Sequence, residues 1–179
     1  VLLGDNVKGQ DFSWAEFQDL SSAPATIEAA KACDALGCLP GYKVKSNDAH
    51  GAYTQAYLKQ EGKRTWLHLP RERWPKSWIG KYTNPVVPLV LALYGHPEAG
   101  GHWEAHCTSK LLPLGFEGID GWPSVFWNTK EKALLIVYVD DFKLAATGEA
   151  HDRLWPKIQK VIAMGEPVEE GRFLGCYSD

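Results

Sequence analysis

Polar and apolar positions alternate, cluster and break along this chain in a way that marks out its elements before any chemistry is considered. Residues 134–139, Leu-Leu-Ile-Val-Tyr-Val, form an unbroken apolar run rich in branched side chains, which predicts a strand covered on both faces. Residues 123–127 form a second apolar stretch, and the polar loop 128–132 between the two predicts a hairpin. After Asp140 and Asp141 the apolar pattern resumes at Phe142, so the two aspartates are expected at the bend of another hairpin. Upstream, Tyr42, Val44 and Ser46 alternate with Lys43, Lys45 and Asn47, predicting a strand that ends at Asp48. Residues 65–70 are a short strand candidate, followed by a loop that mixes Arg71, Arg73 and Lys76 with Trp74 and Trp78.

Three segments carry the helical period. Ser22 to Glu28 supplies a polar residue, an early Pro and an acid ahead of good helix formers at 29–36, with Gly37 as terminator. Trp103, Cys107, Leu111 and Leu114 fall three and four apart, closed by Gly115. Residues 149–164 carry Leu154, Ile158, Val161 and Ile162 on one face, and Pro156 predicts that the regular part starts there. Together these elements predict an α+β fold, an antiparallel sheet with helices packed on one face.

The chain has 179 residues, 45% of them hydrophobic and 12% aromatic, which suits a single folded domain. A formal charge of −3 supplies no global attraction for nucleic acid, so any such contact has to be local. No apolar stretch is long enough to span a bilayer, and Val1-Leu2-Leu3-Gly4 lacks a secretory layout. An intracellular protein, cytoplasmic or nuclear, with no membrane partner is expected. The scattered Cys33, Cys38, Cys107 and Cys176 fit reduced thiols. His102, His106 and Cys107 lie close in sequence but do not match a zinc-binding His-Glu-x-x-His, and ordinary helix residues are the better reading.

Adjacent carboxylates at the end of a buried strand repel one another unless a multivalent cation neutralises them. Mg²⁺ prefers hard oxygens and takes one or two carboxylates together with substrate phosphates. A surface turn is the simpler explanation for an Asp-Asp pair. Asp48, at the end of another strand, supplies the third carboxylate that two-metal phosphoryl transfer would use.

At this point the sequence resembles the reverse transcriptases of Ty/copia-type retrotransposons. The resemblance rests on Tyr138-Val139-Asp140-Asp141, on Asp48-Ala49-His50-Gly51-Ala52-Tyr53 and on Leu93-Tyr94-Gly95. Trp103, Gly115-Phe116, Pro123-Ser124-Val125-Phe126 and Phe173-Leu174-Gly175 continue it in order, over about residues 12–177. It implies a palm-like domain at about 41–179, preceded by residual fingers at about 1–40. Asp48 and Asp140 would be the principal ligands of two Mg²⁺ ions, or Mn²⁺, with the Ala49 carbonyl assisting and Asp141 a weaker ligand. Tyr53 would exclude a 2′-hydroxyl, Tyr94 and Gly95 would line the nucleotide pocket, and Arg172 would face the leaving pyrophosphate. The partners implied are an RNA or DNA template with its primer, deoxynucleoside triphosphates, and the rest of a Pol polyprotein.

The likeness breaks at residues 96–101, where the family has Gln-Ala-Pro-Arg after a basic residue and this chain has His-Pro-Glu-Ala-Gly-Gly. The family's basic fingers hairpin would precede Val1, and its thumb, ribonuclease H and integrase regions would follow Asp179. A piece lacking the fingers' cations forgoes charge-assisted contacts worth ~1.5–3 kcal/mol each, so the activity of this chain by itself is a separate question. Two other readings stand beside the polymerase: a catalytically inactive relic of a retroelement serving as an interaction module, and a metal-dependent nuclease.

Overall fold

The computed structural model describes Lys8, residues 22–58 and 64–169, and Phe173. In chain order these form α1 (Ile27–Gly37), β1 (Tyr42–Asp48), β2 (Trp66–His68), β3 (Val86–Pro88), α2 (Ala99–Leu111), β4 (Glu117–Ile119), β5 (Trp122–Asn128), β6 (Ala133–Tyr138), β7 (Asp141–Thr147), α3 (Gly148–Val161) and β8 (Val168–Glu169). Six strands make one sheet in the order β4-β5-β6-β7-β1-β8, and β2 pairs with β3 in a separate ribbon. Every pairing is antiparallel. The mixed α+β architecture and the β5-β6-β7 meander are those expected from the apolar pattern.

The helices lie on both faces of the sheet, which corrects the expectation of a single helical face. Side chains of β6 alternate between two cores. Leu134 and Ile136 pack with Ala29, Ala30 and Cys33 of α1. Ala133, Leu135 and Val137 pack with Trp103 and Cys107 of α2 and Leu154 and Ile158 of α3. With helices on one face only, Leu134, Ile136 and Val125 would stay in water, forfeiting roughly 1.5–3 kcal/mol each. The continuous apolar run at 134–139 demanded cover on both sides.

The second correction concerns α3, which starts at Gly148 and carries Pro156 in its interior. Thr147 caps it, its side chain accepting from the Ala150 N–H at 3.3 Å. Pro156 is exposed, so the Asp152 carbonyl that loses its intrahelical donor can face water. The cap and the buried stripe of His151, Leu154, Trp155 and Ile158 outweigh the proline.

Two buried polar groups tie helices to the sheet. Lys143, 3% exposed in the middle of β7, makes an ion pair with Asp34 of α1, and its ammonium lies 5.3 Å from the centre of the Phe173 ring. On the other face His151 is 1% exposed. Its Nδ1 accepts from Trp155 Nε1 at 3.1 Å, which assigns the proton to Nε2, and that group donates to the Lys43 carbonyl at 3.0 Å. Burial holds its pKa below the ordinary 6.5, with the Lys43 carbonyl pulling the other way. The unfolded chain therefore takes up this proton first as pH falls, and the stability contributed above pH 6.5 is lost below it, by at most about 1.4 kcal/mol per pH unit. Melting temperatures measured from pH 7.5 to 5.5 should fall more steeply for the wild type than for His151→Leu; equal slopes would contradict the assignment.

Candidate metal centre

The β6-β7 hairpin closes at the pair Tyr138 and Asp141, leaving Val139 and Asp140 as its two-residue loop. Val139 has φ 53°, a left-handed conformation at the first loop position, where such turns ordinarily take Gly. A β-branched residue is strained there. Two hydrogen bonds hold the loop in place. The Val139 carbonyl accepts from Trp103 Nε1 of α2, and the Asp140 carbonyl accepts from the Ala49 N–H at 2.7 Å, just past the end of β1. A cavity of about 20 Å³, room for about one water, lies beneath the loop between Tyr53, Trp103, Cys107 and Val139.

Asp48 reaches the same place from β1, which runs antiparallel to β7 so that Asp48 is paired with Asp141. The end of β1 is anchored in turn. Asn47, 6% exposed, accepts from the Asp48 N–H through its Oδ1 and donates through Nδ2 to the Gly165 carbonyl, both at 2.9 Å. Gln55 donates to the carbonyls of His50 and Ala163 and accepts from the Ala163 N–H. The Asp48 carbonyl accepts from Gly165 N–H at 3.1 Å. Sequence reading missed Asn47, Gln55 and the anchoring hydrogen bond of Trp103. A polar residue in a strand beside a carboxylate was the available signal for Asn47; the other two depend on contacts distant in sequence.

The result is a cluster in which one carboxylate oxygen from each of Asp48, Asp140 and Asp141 lies within 4.8 Å of the others. Asp48 is exposed, and the other two are half-buried. Burial raises the Asp141 pKa above the usual carboxylate range, and the charges of Asp140 and Asp48 raise it further. Among the described residues, none of the three carboxylates is in an ion pair. A compact set of hard oxygen donors with uncompensated negative charge could hold a hard divalent cation.

Tyr53 and Tyr94 stand beside this cluster with ring centres 4.6 Å apart and planes tilted by 56°. Tyr53 lies on a 3₁₀ turn, Ala52–Gln55, that follows Gly51 at φ 58°. Tyr94 precedes Gly95, whose φ of 86° turns the chain toward α2. Burial raises the pKa of both phenols, and the nearby Asp140 adds to each shift. Ala49 is 2% exposed. Thus Asp48, Ala49, Tyr53, Tyr94, Gly95, Asp140 and Asp141 converge on one region, while Arg172 lies outside the described residues.

Around His102, no three potential metal ligands come together among the described residues. Trp103 and Cys107 face the core at 3% and 2% exposure, and the His106 ring stacks on Trp103 at 5.7 Å. Among the described residues the three aspartates are the one cluster of potential metal ligands. Cys33, Cys38 and Cys107 are free thiols, with burial pushing Cys33 up to about 12. No helix among the described residues is long and apolar enough to cross a membrane.

Compared with known proteins, the chain matches no family model and no curated sequence.

Proposed function

We propose that the chain carries a two-metal nucleotidyl-transfer centre, that of an RNA-directed DNA polymerase palm of the copia-like kind. The meeting of Asp48, Asp140 and Asp141 within 4.8 Å, from strands distant in sequence, is the observation that supports this reading most. Bound divalent cations would supply charge neutralisation and polarise phosphate oxygens. Asp48 would hold them from the end of β1 and Asp140 from the β6-β7 loop. Asp141, whose ionised form is disfavoured by burial and by its neighbours, contributes more weakly. The Trp103 and Ala49 N–H groups fix the loop, so the ligands need little rearrangement when a cation arrives.

Primer extension on a poly-rA template with dTTP and Mg²⁺ tests the reading directly. Incorporation by wild type that Asp140→Asn abolishes is the expected result. Incorporation untouched by that substitution refutes the assignment, and none from either protein favours an inactive relic.

Tyr53 separates the polymerase from a nuclease, which needs no selection of the incoming sugar. Packed against Tyr94 beside the carboxylates, its ring would narrow the space for a 2′-hydroxyl. Tyr53→Ala should therefore raise ribonucleotide relative to deoxynucleotide incorporation by of the order of 10–100-fold, the scale of one group gained or lost in an apolar pocket. Equal use of both sugars before and after the substitution points away from a polymerase.

A further inference from the structure

Residues 64–97 carry five cations, Arg64, Arg71, Arg73, Lys76 and Lys81, against one acid, Glu72, in a chain whose overall charge is −3. All five cations are exposed, and none forms an ion pair with a described residue. Aromatic rings lie among them. Trp66 on β2 is 53% exposed and Tyr82 is 47% exposed. Trp78 meets Tyr82 edge-on at 6.0 Å, and the Lys81 ammonium lies 5.4 Å from the Tyr82 ring centre.

This surface is built rather than loose. Trp74 Nε1 donates to the Leu69 carbonyl at 2.9 Å. Two 3₁₀ turns, Arg71–Arg73 and Lys76–Trp78, each follow a proline. Backbone bonds from Arg73 to Pro70, Trp78 to Pro75 and Lys81 to Trp78 close successive turns. Its C-terminal end is tied to the metal centre's neighbourhood. Leu58 N–H donates to the Val90 carbonyl and Ala92 N–H to that of Ala56, and Tyr94 packs on Tyr53.

We infer that this segment is a platform for a single-stranded polynucleotide, its cations contacting successive phosphates and Trp66 and Tyr82 stacking on bases. Exposed cations interleaved with rings are the chemistry that grips single strands without reading sequence. Fixed turns lower the ordering cost of binding. The carboxylate cluster would otherwise repel a polyanion, and the local basic surface offsets that repulsion where a strand would approach it. The inference deepens the nucleotidyl-transfer reading and rests on it for the use to which the strand is put; binding itself uses none of the three aspartates.

The test is fluorescence anisotropy of labelled 20-nucleotide oligo(dT) and oligo(rU) with the full chain in EDTA, across a salt series. Arg71→Ala/Arg73→Ala/Lys76→Ala/Lys81→Ala should lower affinity at least tenfold in low salt and flatten the log–log salt dependence by up to about 2.8, about 0.7 for each phosphate no longer neutralised. Trp66→Ala should weaken binding by about fivefold or more at an unchanged salt slope, the lower end of what a stacked base contributes. An unchanged affinity and slope in the quadruple variant overturns the platform. So does wild type that ignores both oligonucleotides but binds phosphatidylserine vesicles through the same four cations. Oligonucleotide binding that needs these cations, with no primer extension in Mg²⁺, upholds the platform and removes the polymerase; primer extension with binding indifferent to them does the reverse.

Discussion

Asp140→Asn protein without metal is expected to melt higher than wild type, and to lose the rise in melting temperature that Mg²⁺ or Mn²⁺ gives wild type. Three carboxylates within 4.8 Å repel one another. At about 4 Å, two unit charges interact by ~1 kcal/mol under water-like screening and ~4 kcal/mol near a protein surface. For a domain of this size each kcal/mol moves the melting point by about 2–4 °C, so removing one charge should raise it by a few degrees. A cation at ten times its dissociation constant should stabilise wild type by about 1.4 kcal/mol, or about 3–6 °C. Removing the partner of a metal ligand already costs 10–100-fold in affinity, so losing a ligand should erase that rise. The pH dependence has a definite sign. Asp141's pKa is raised on folding, so its ionised form destabilises the metal-free protein at neutral pH, and this penalty disappears as pH falls through the raised value. The metal-induced rise should shrink over the same range. Calorimetry with and without metal checks both arms; equal metal responses in wild type and variant would show that the aspartates hold no cation.

Trp103 carries the second large effect. At 3% exposure it fills the core beneath the hairpin, and its Nε1 donates to the carbonyl of the strained Val139. Trp103→Ala should cost about 3–5 kcal/mol, the usual range for emptying a buried aromatic site. Trp103→Phe keeps most of the packing and deletes one donor, so about 1–3 kcal/mol is expected. The conservative variant separates packing from positioning. With one of its two anchors gone, the loop would relax Val139 toward negative φ about the remaining Ala49 bond, which would shift the Asp140 carboxylate relative to Asp48. Trp103→Phe should thus weaken Mn²⁺ binding even where it remains fully folded; unaltered metal affinity at reduced stability would restrict Trp103 to a packing role.

The meander was legible because its signals are local: apolar runs, a polar loop and two aspartates at a bend. Asp48 was legible as the end of an alternating strand, but its pairing with Asp141 depends on sheet order, which alternation does not encode. The run at 134–139 signals a strand apolar on both sides, yet nothing local to it says which helix covers which face, and α1 lies opposite α2 and α3. Pro156 misled because rules for proline treat the backbone in isolation, whereas here the missing donor faces solvent and the capped, buried stripe continues through it. Lys143 interrupts an apolar strand, and only the α1 packing brings Asp34 to it. The short β4 and β8 have no sequence signature of their own, being edge segments recruited by longer neighbours.

Asp48 and Asp141 are held opposite each other by the ladder between β1 and β7, although just over half the chain's length separates them in sequence. The sheet thus acts as the ruler: spacing is measured across strands and not along the polypeptide. Residues added to or removed from the excursion between β2 and β3 change the length of the detour without changing where it returns. A centre organised in this way can have the surface beside it rebuilt, in length and in charge, while the carboxylates keep their separation.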